Sequence, residues 1–192
     1  MFTDPVLKKL HKQYGPHKFK DRSEKLYEEL VESIIGQQLS GKAADTIFKR
    51  FLALYKDSKF PRPQELLKTD VEKLRSAGMS YSKAAYIKNI AQAFKDGDLD
   101  VKKLKKMNDE EVKKELTKIK GVGNWTAEMT LIFTLNREDV FSLGDAGLRR
   151  AIKNLYKIED DENILKLSEK WKPKRSFACW YLWKSLDNDP KI

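Results

Sequence analysis

The segment Leu116-Thr117-Lys118-Ile119-Lys120-Gly121-Val122-Gly123-Asn124-Trp125-Thr126-Ala127-Glu128 is the part of the chain whose residue types and spacing speak most directly of chemistry. A charged amphipathic stretch runs into Gly-Val-Gly, and a second helical pattern starts at once. Glycine accepts left-handed backbone and lets another molecule approach the main chain closely. The first N–H groups of a helix have no acceptors within it, and the helix dipole adds positive potential at the same end. Lys120, Gly121, Val122, Gly123 and Thr126 therefore form a candidate anion site that suits a phosphate of DNA. Such a grip is independent of sequence, because phosphates carry no base identity.

The bulk composition agrees with that partner. The chain has 192 residues, with 39 Lys and Arg against 29 Asp and Glu, for a net charge of +10. A basic surplus of this size favours a polyanion. The 40% hydrophobic content is enough to bury a core. Only one cysteine is present, Cys179, which excludes an internal disulfide framework and any four-cysteine metal site within this chain. Cys179 itself reads as a small buried apolar residue. The two histidines, His11 and His17, lie in a polar stretch without convergent partners and read as neither catalytic nor metal-binding. No run approaches the ~18 apolar residues of a membrane span. The first residues lack the basic-then-apolar pattern of a secretory signal. The expectation is an intracellular protein with no membrane partner.

The elements that must position the glycine turn are helical throughout. Leu26, Leu30, Val31, Ile34 and Ile35 recur at helical spacing, as do Ile47, Phe51, Leu54 and Tyr55. No long run alternates with period two. Helix starts are marked near Thr3-Asp4-Pro5, at Ser23, at Ser40 (a run to Lys56), at Thr69 or Asp70, and at Ser80. Asn108 with Glu111 has capping-box character. Asn124, Asp145 and Asp160 can open three more helices, and Pro173 suits the first turn of the last. The pattern predicts an all-α fold of roughly ten short helices, with Pro61-Arg62-Pro63 as the plainest break. It is read as a single domain over residues 1–192. A central subdomain spans about 25–135 and includes the hairpin 116–135. The N-terminal segment joins 140–192 in a second subdomain, and a cleft lies between the two.

Ile119 before the glycines, Val122 between them and Thr126-Ala127 after them resemble the helix-hairpin-helix motif. The resemblance extends to Ser33-Ile34-Ile35-Gly36-Gln37-Gln38-Leu39-Ser40-Gly41-Lys42-Ala43-Ala44, to Ala77-Gly78-Met79-Ser80-Tyr81-Ser82-Lys83-Ala84-Ala85-Tyr86-Ile87, to Gly144-Asp145-Ala146-Gly147-Leu148-Arg149-Arg150, and to Trp171-Lys172-Pro173-Lys174-Arg175-Ser176. In this order, over about residues 25–186, the blocks resemble the helix-hairpin-helix DNA glycosylases, and more narrowly the alkylpurine (3-methyladenine) glycosylases of the AlkA and Mag type. The bacterial AlkA form carries an N-terminal β-rich domain for which this sequence has no room.

The resemblance implies a monofunctional hydrolase of base-excision repair that flips an alkylated purine, 3-methyladenine or 7-methylguanine, out of damaged double-stranded DNA. Bifunctional relatives use a lysine nucleophile two residues after the second hairpin glycine, where this chain has Trp125. The family's essential aspartate falls on Asp145. A carboxylate there stabilises the positive charge that develops on deoxyribose as the N-glycosidic bond breaks, and can orient or deprotonate the attacking water. The competing role for Asp145 is an N-cap, and Asp139 is a weaker catalytic candidate. Base flipping costs a few kcal/mol and leaves a gap. The resemblance places a wedge at Gln38, with Leu39 or Ser40 at the minor groove. Trp125, Trp183 and Met129 are candidates for the base pocket. An indole face adds about 1–2 kcal/mol of attraction for a cationic base. Met129 stands where relatives can offer a tyrosine, and Ala146 also departs from the pattern.

Lys42, Lys83, Lys118, Lys120 and Arg149 are candidate phosphate contacts. No organic cofactor is implied. The family's hairpin commonly holds a cation on main-chain carbonyls, here those of Thr117 and Ile119. A monomer is implied. The rival readings are a glycosylase for another damaged base, such as hypoxanthine, and a helix-hairpin-helix DNA-binding protein without catalysis.

Overall fold

A computed structural model describes residues 2–186, and all regular structure among them is helical. The helices are α1 (Pro5–Tyr14), α2 (Leu26–Gly36), α3 (Gly41–Leu52), α4 (Pro63–Lys68), α5 (Val71–Ser76), α6 (Tyr81–Asp96), α7 (Val101–Lys106), α8 (Asp109–Thr117), α9 (Asn124–Met129), α10 (Ala146–Tyr156), α11 (Asp161–Glu169) and α12 (Arg175–Lys184). Short 3-10 turns occupy Ser23–Lys25 and Lys56–Ser58, and a wider π turn, Thr130–Thr134, continues α9.

Helix starts follow the capping chemistry. Asp4, Asp70, Ser80, Asp100, Asn108, Asp145 and Asp160 each accept a main-chain N–H from the first turn of the helix that follows. At α8 the cap is reciprocal: Glu111 N donates to Asn108 Oδ1, and Asn108 N donates to Glu111 Oε2. Helix α6 closes on Gly97 in the left-handed region, as a C-terminal glycine should.

Two helices exceed the roughly ten that the helix-start signals suggested. One is α4, which begins at Pro63 inside the expected break. Proline at the first helical position loses no hydrogen bond, and Glu65 reaches back to Arg62 N at 2.8 Å to complete the start. The other is α7, a lysine-rich turn with Leu104 as its buried residue, too short to show a period. Helix α3 ends at Leu52 rather than near Lys56, so Leu54 and Tyr55 sit in the following turn.

The described chain divides into two compact units. One runs from Arg22 to Thr130; the other joins the residues up to Asp21 with those from Leu131 on. In the first, α6 is the central helix and packs on α2, α4 and α5, burying Leu30, Val31, Ile34, Leu66, Leu74, Ile87 and Ile90. In the second, α12 packs on both α1 and α10, around Leu7, Leu148, Ile152, Tyr181 and Leu182. The Tyr181 hydroxyl donates to Gly15 O at 2.8 Å, and Trp171 Nε1 and Tyr156 Oη donate to the Asp4 carboxylate. The N-terminal helix is thereby tied to the C-terminal ones. Cys179 is buried in the same packing.

Candidate active site and glycine hairpin

Asp145 sits at the N-cap of α10 and is half-buried. Its Oδ1 accepts the Leu148 N–H at 2.7 Å and the Trp183 indole N–H at 2.9 Å. Capping and indole together fix the plane and direction of the carboxylate. Gly147 makes this possible. A Cβ at that position would lie 3.0 Å from Asp145 Oδ1 and 3.3 Å from the Trp183 ring. Gly147 lies in the same motif block as Asp145, but no sequence signal linked it to Trp183 on another helix.

Trp183 is 7% exposed. Its ring lies 5.6 Å from Phe133, and its N–H is spent on Asp145. The contact the structure gives it is orientation of the carboxylate. Asp139, the weaker catalytic candidate, is held by Arg175 through Nε at 2.9 Å and Nη2 at 3.1 Å, a forked ion pair that fastens the start of α12.

In the other unit, α8, residues 118–123 and α9 form a helix–turn–helix hairpin. Gly121 has φ +110°, a conformation for glycine, and a Cβ there would overlap the ring of Tyr86 on α6. Gly123 is not left-handed. Its φ is −90°, open to any residue, and nothing lies within 4 Å of the point a Cβ would occupy; its use is the open approach it leaves to the main chain. Helix α9 starts at Asn124 with Gly123 at its N-cap and no side-chain acceptor.

Val122 is buried and pins the turn, so only its main chain is available to a ligand. Lys120 is exposed, and its carbonyl accepts from Asn89 Nδ2 at 3.0 Å. The Thr126 side chain is not open to a phosphate, being 2% exposed with its hydroxyl accepting Gln37 Nε2 at 3.1 Å, so only its main chain could serve there. Its side chain braces α9 against the segment after α2. Trp125, in the first turn of α9, is 40% exposed, whereas Met129 is buried. The Ile119 carbonyl accepts the Val122 N–H at 2.9 Å and keeps its second lone pair. Among the described residues no group of His, Cys, Asp or Glu is disposed to hold a metal, so a cation here would rest on main-chain oxygens.

The wedge candidates form an exposed turn between α2 and α3. Gln38, Leu39 and Ser40 are all exposed, and Gln38 has a left-handed φ of +58°. Ser40 stands at the N-cap of α3 without a capping hydrogen bond. Of the basic residues expected at phosphates, Lys118 pairs with Glu115 at 2.7 Å and Arg149 with Asp161 at 2.6 Å. Lys83 donates to two main-chain carbonyls. Lys42 and Lys120 are exposed.

An all-helical chain with a glycine hairpin braced from below, and a buried indole fixing an aspartate at a helix start, defines a helix-hairpin-helix protein. The chain belongs to the HhH-GPD superfamily of base excision DNA repair proteins, whose family model matches residues 31–174. It is 40% identical over 183 residues to DNA-3-methyladenine glycosylase 1 of Schizosaccharomyces pombe, covering 93% of this chain and 80% of that one. Its fold is similar to the solved S. pombe 3-methyladenine DNA glycosylase in complex with abasic DNA, with TM-score 0.86, 36% identity, and coverage of 99% of this chain and 95% of that chain. It is also similar to a DNA-3-methyladenine glycosidase from Bacillus halodurans, with TM-score 0.77, 34% identity, and coverage of 95% and 89%. No helix of the described residues is long and apolar enough to cross a membrane.

Proposed function

We propose that this protein is a monofunctional DNA glycosylase of base-excision repair that hydrolyses the N-glycosidic bond of alkylated purines, 3-methyladenine above all, in damaged double-stranded DNA. The observation that carries the reading is the Asp145 carboxylate, oriented by the Leu148 N–H and the Trp183 indole. Similarity to curated 3-methyladenine glycosylases supports the substrate class.

The hairpin main chain at Gly121, Val122 and Gly123, with the Lys120 ammonium, takes a DNA phosphate. A hard cation on the carbonyls of Thr117 and Ile119 would add positive charge at that contact. Gln38 fills the space left by the extruded nucleotide, and Trp125 offers an aromatic face to the base. An alkylated purine such as 3-methyladenine carries positive charge. When its bond to C1′ breaks, the base takes the bonding electron pair and departs neutral, without a general acid. Positive charge passes to the sugar, opposite the Asp145 carboxylate. A water oxygen then bonds to C1′ and gives its proton to that carboxylate or to solvent. The products are free base and an abasic site. With Trp125 at the position of the lysine nucleophile in bifunctional relatives, no Schiff base forms through the usual machinery.

The test is base release from duplexes carrying 3-methyladenine, 7-methylguanine or hypoxanthine, with borohydride trapping in parallel. Release of the methylated purines without a trapped covalent adduct is expected. Faster release of hypoxanthine would reassign the substrate, and no release of any base would leave a DNA-binding module.

A further inference from the structure

Helix α6 carries, on its first turn, a lysine whose side chain points inward to main chain rather than outward to solvent. Lys83 Nζ lies 2.8 Å from the carbonyl oxygen of Ile35 and 2.8 Å from that of Gln37. These carbonyls belong to the end of α2, where the last turn of a helix lacks internal donors and the dipole favours a cation. Burial draws the lysine's pKa below its ordinary value, the mark of an ammonium taken partly out of water.

The next residue is Gln38. Its φ of +58° is left-handed, a conformation that costs a non-glycine residue about 1–2 kcal/mol unless its surroundings hold it. Three contacts frame it. Leu39 N donates to Gly36 O at 3.2 Å and closes the turn. Gln37 Nε2 donates to Thr126 Oγ1 and ties the turn to the start of α9. Lys83 grips the carbonyls on the near side. The same helix also supports the hairpin, through Tyr86 beneath Gly121 and Asn89 on the Lys120 carbonyl. One helix thus sets both the turn that bears the wedge and the turn that bears the phosphate site.

We propose that Lys83 is a positioning residue for base extrusion: its ammonium, bonded to the carbonyls of Ile35 and Gln37, holds Gln38 in the left-handed turn from which that side chain enters the duplex. This rests on the reading of Gln38 as the wedge. With its ammonium committed to these two carbonyls, Lys83 acts through Gln38 rather than on the reacting atoms.

The experiment compares the full chain with Lys83→Met, Gln38→Ala and the double variant. Extrusion is read by 2-aminopurine fluorescence beside the lesion, and release by single-turnover kinetics. Two substrates are used: a paired duplex, and one with the lesion facing an abasic site, where the base has no pairing partner to leave. Lys83→Met is expected to slow extrusion and release on the paired duplex by about tenfold, the scale of charge-assisted hydrogen bonds. It should release at the wild-type rate on the second substrate. The double variant should be no slower than Gln38→Ala, because coupled residues are not additive. Normal extrusion by Lys83→Met with slow extrusion by Gln38→Ala overturns the role of Lys83 alone. So does an equal loss on both substrates, or additive losses in the double variant. Normal extrusion by Gln38→Ala overturns the wedge reading instead. Should Lys83→Met lose its cooperative unfolding transition, Lys83→Arg, which keeps the cation but moves its donors, is read against the same outcomes.

Discussion

Asp145 serves the fold and the proposed chemistry with one side chain. Its Oδ1 caps α10 through the Leu148 N–H and receives the Trp183 indole N–H. The capping role was legible in the sequence, because it depends on neighbours three residues apart. The indole was not, since Trp183 reaches Asp145 through the packing of α12 on α10. The resemblance implied a place for Trp183 in the base pocket; the structure gives its N–H a contact with the carboxylate. Trp183→Phe keeps an aromatic ring and removes the donor. It should lower the single-turnover release rate about tenfold, the worth of one hydrogen bond to a charged group, while DNA affinity stays near wild type. Affinity for DNA containing the lesion falling in step with the rate would instead make Trp183 a base contact.

At the scale of elements, the hairpin owes its shape to what lies beneath it. The sequence marked Gly121 and Gly123 alike. The structure separates them: Gly121 is left-handed and pressed on Tyr86, whereas Gly123 is extended with open space around it. Gly121→Ala should destabilise the protein by at least about 2 kcal/mol, from backbone strain and overlap together, measurable by denaturant unfolding. Gly123→Ala should leave stability nearly unchanged and weaken DNA binding, because its methyl group stands where a phosphate approaches. Equal stability of the two variants would refute the division of labour. Most helix starts were readable from caps, which are local. Helices α4 and α7 were not, being too short for periodicity, and α4 starts at the very proline that signalled a break. The brace of Gly121 by Tyr86, of Lys120 by Asn89, and of the turn before Gln38 by Lys83 joins elements distant in sequence. Composition cannot tell such a lysine from one aimed at a phosphate.

At the scale of the whole molecule, the net charge of +10 suits a polyanion, yet many of the charges are locally committed. Lys118, Arg149 and Arg175 are all in ion pairs, so candidate phosphate contacts must be chosen from structure rather than by counting. In the unit formed by both ends of the chain, His17 is expected to make stability depend on pH. His17 stacks on Trp180 with ring centroids 4.0 Å apart, beside a cavity of about 490 Å³ that it lines with Lys8, His11, Lys12 and Lys174. Burial, and secondly the Lys184 cation, lower its pKa from 6.5. A histidine whose folded pKa is depressed contributes stability above its unfolded pKa and loses it as pH falls through the folded one. The unfolding temperature should therefore drop on acidification below about 6.5. His17→Phe should flatten that part of the profile; an unchanged profile would place the response elsewhere.

In the proposed function, the charge on Asp145 drives loss of the base. Asn at this position keeps an acceptor for Leu148 and Trp183, so Asp145→Asn separates charge from fold. At ~4 Å and an effective dielectric of ~20, the lost attraction for the sugar cation is about 4 kcal/mol, roughly a thousandfold in rate. Single-turnover release of 3-methyladenine from duplex DNA by wild type and Asp145→Asn is the most direct test. A fall of that order with DNA binding retained is the predicted result, and equal release by the two proteins would contradict it.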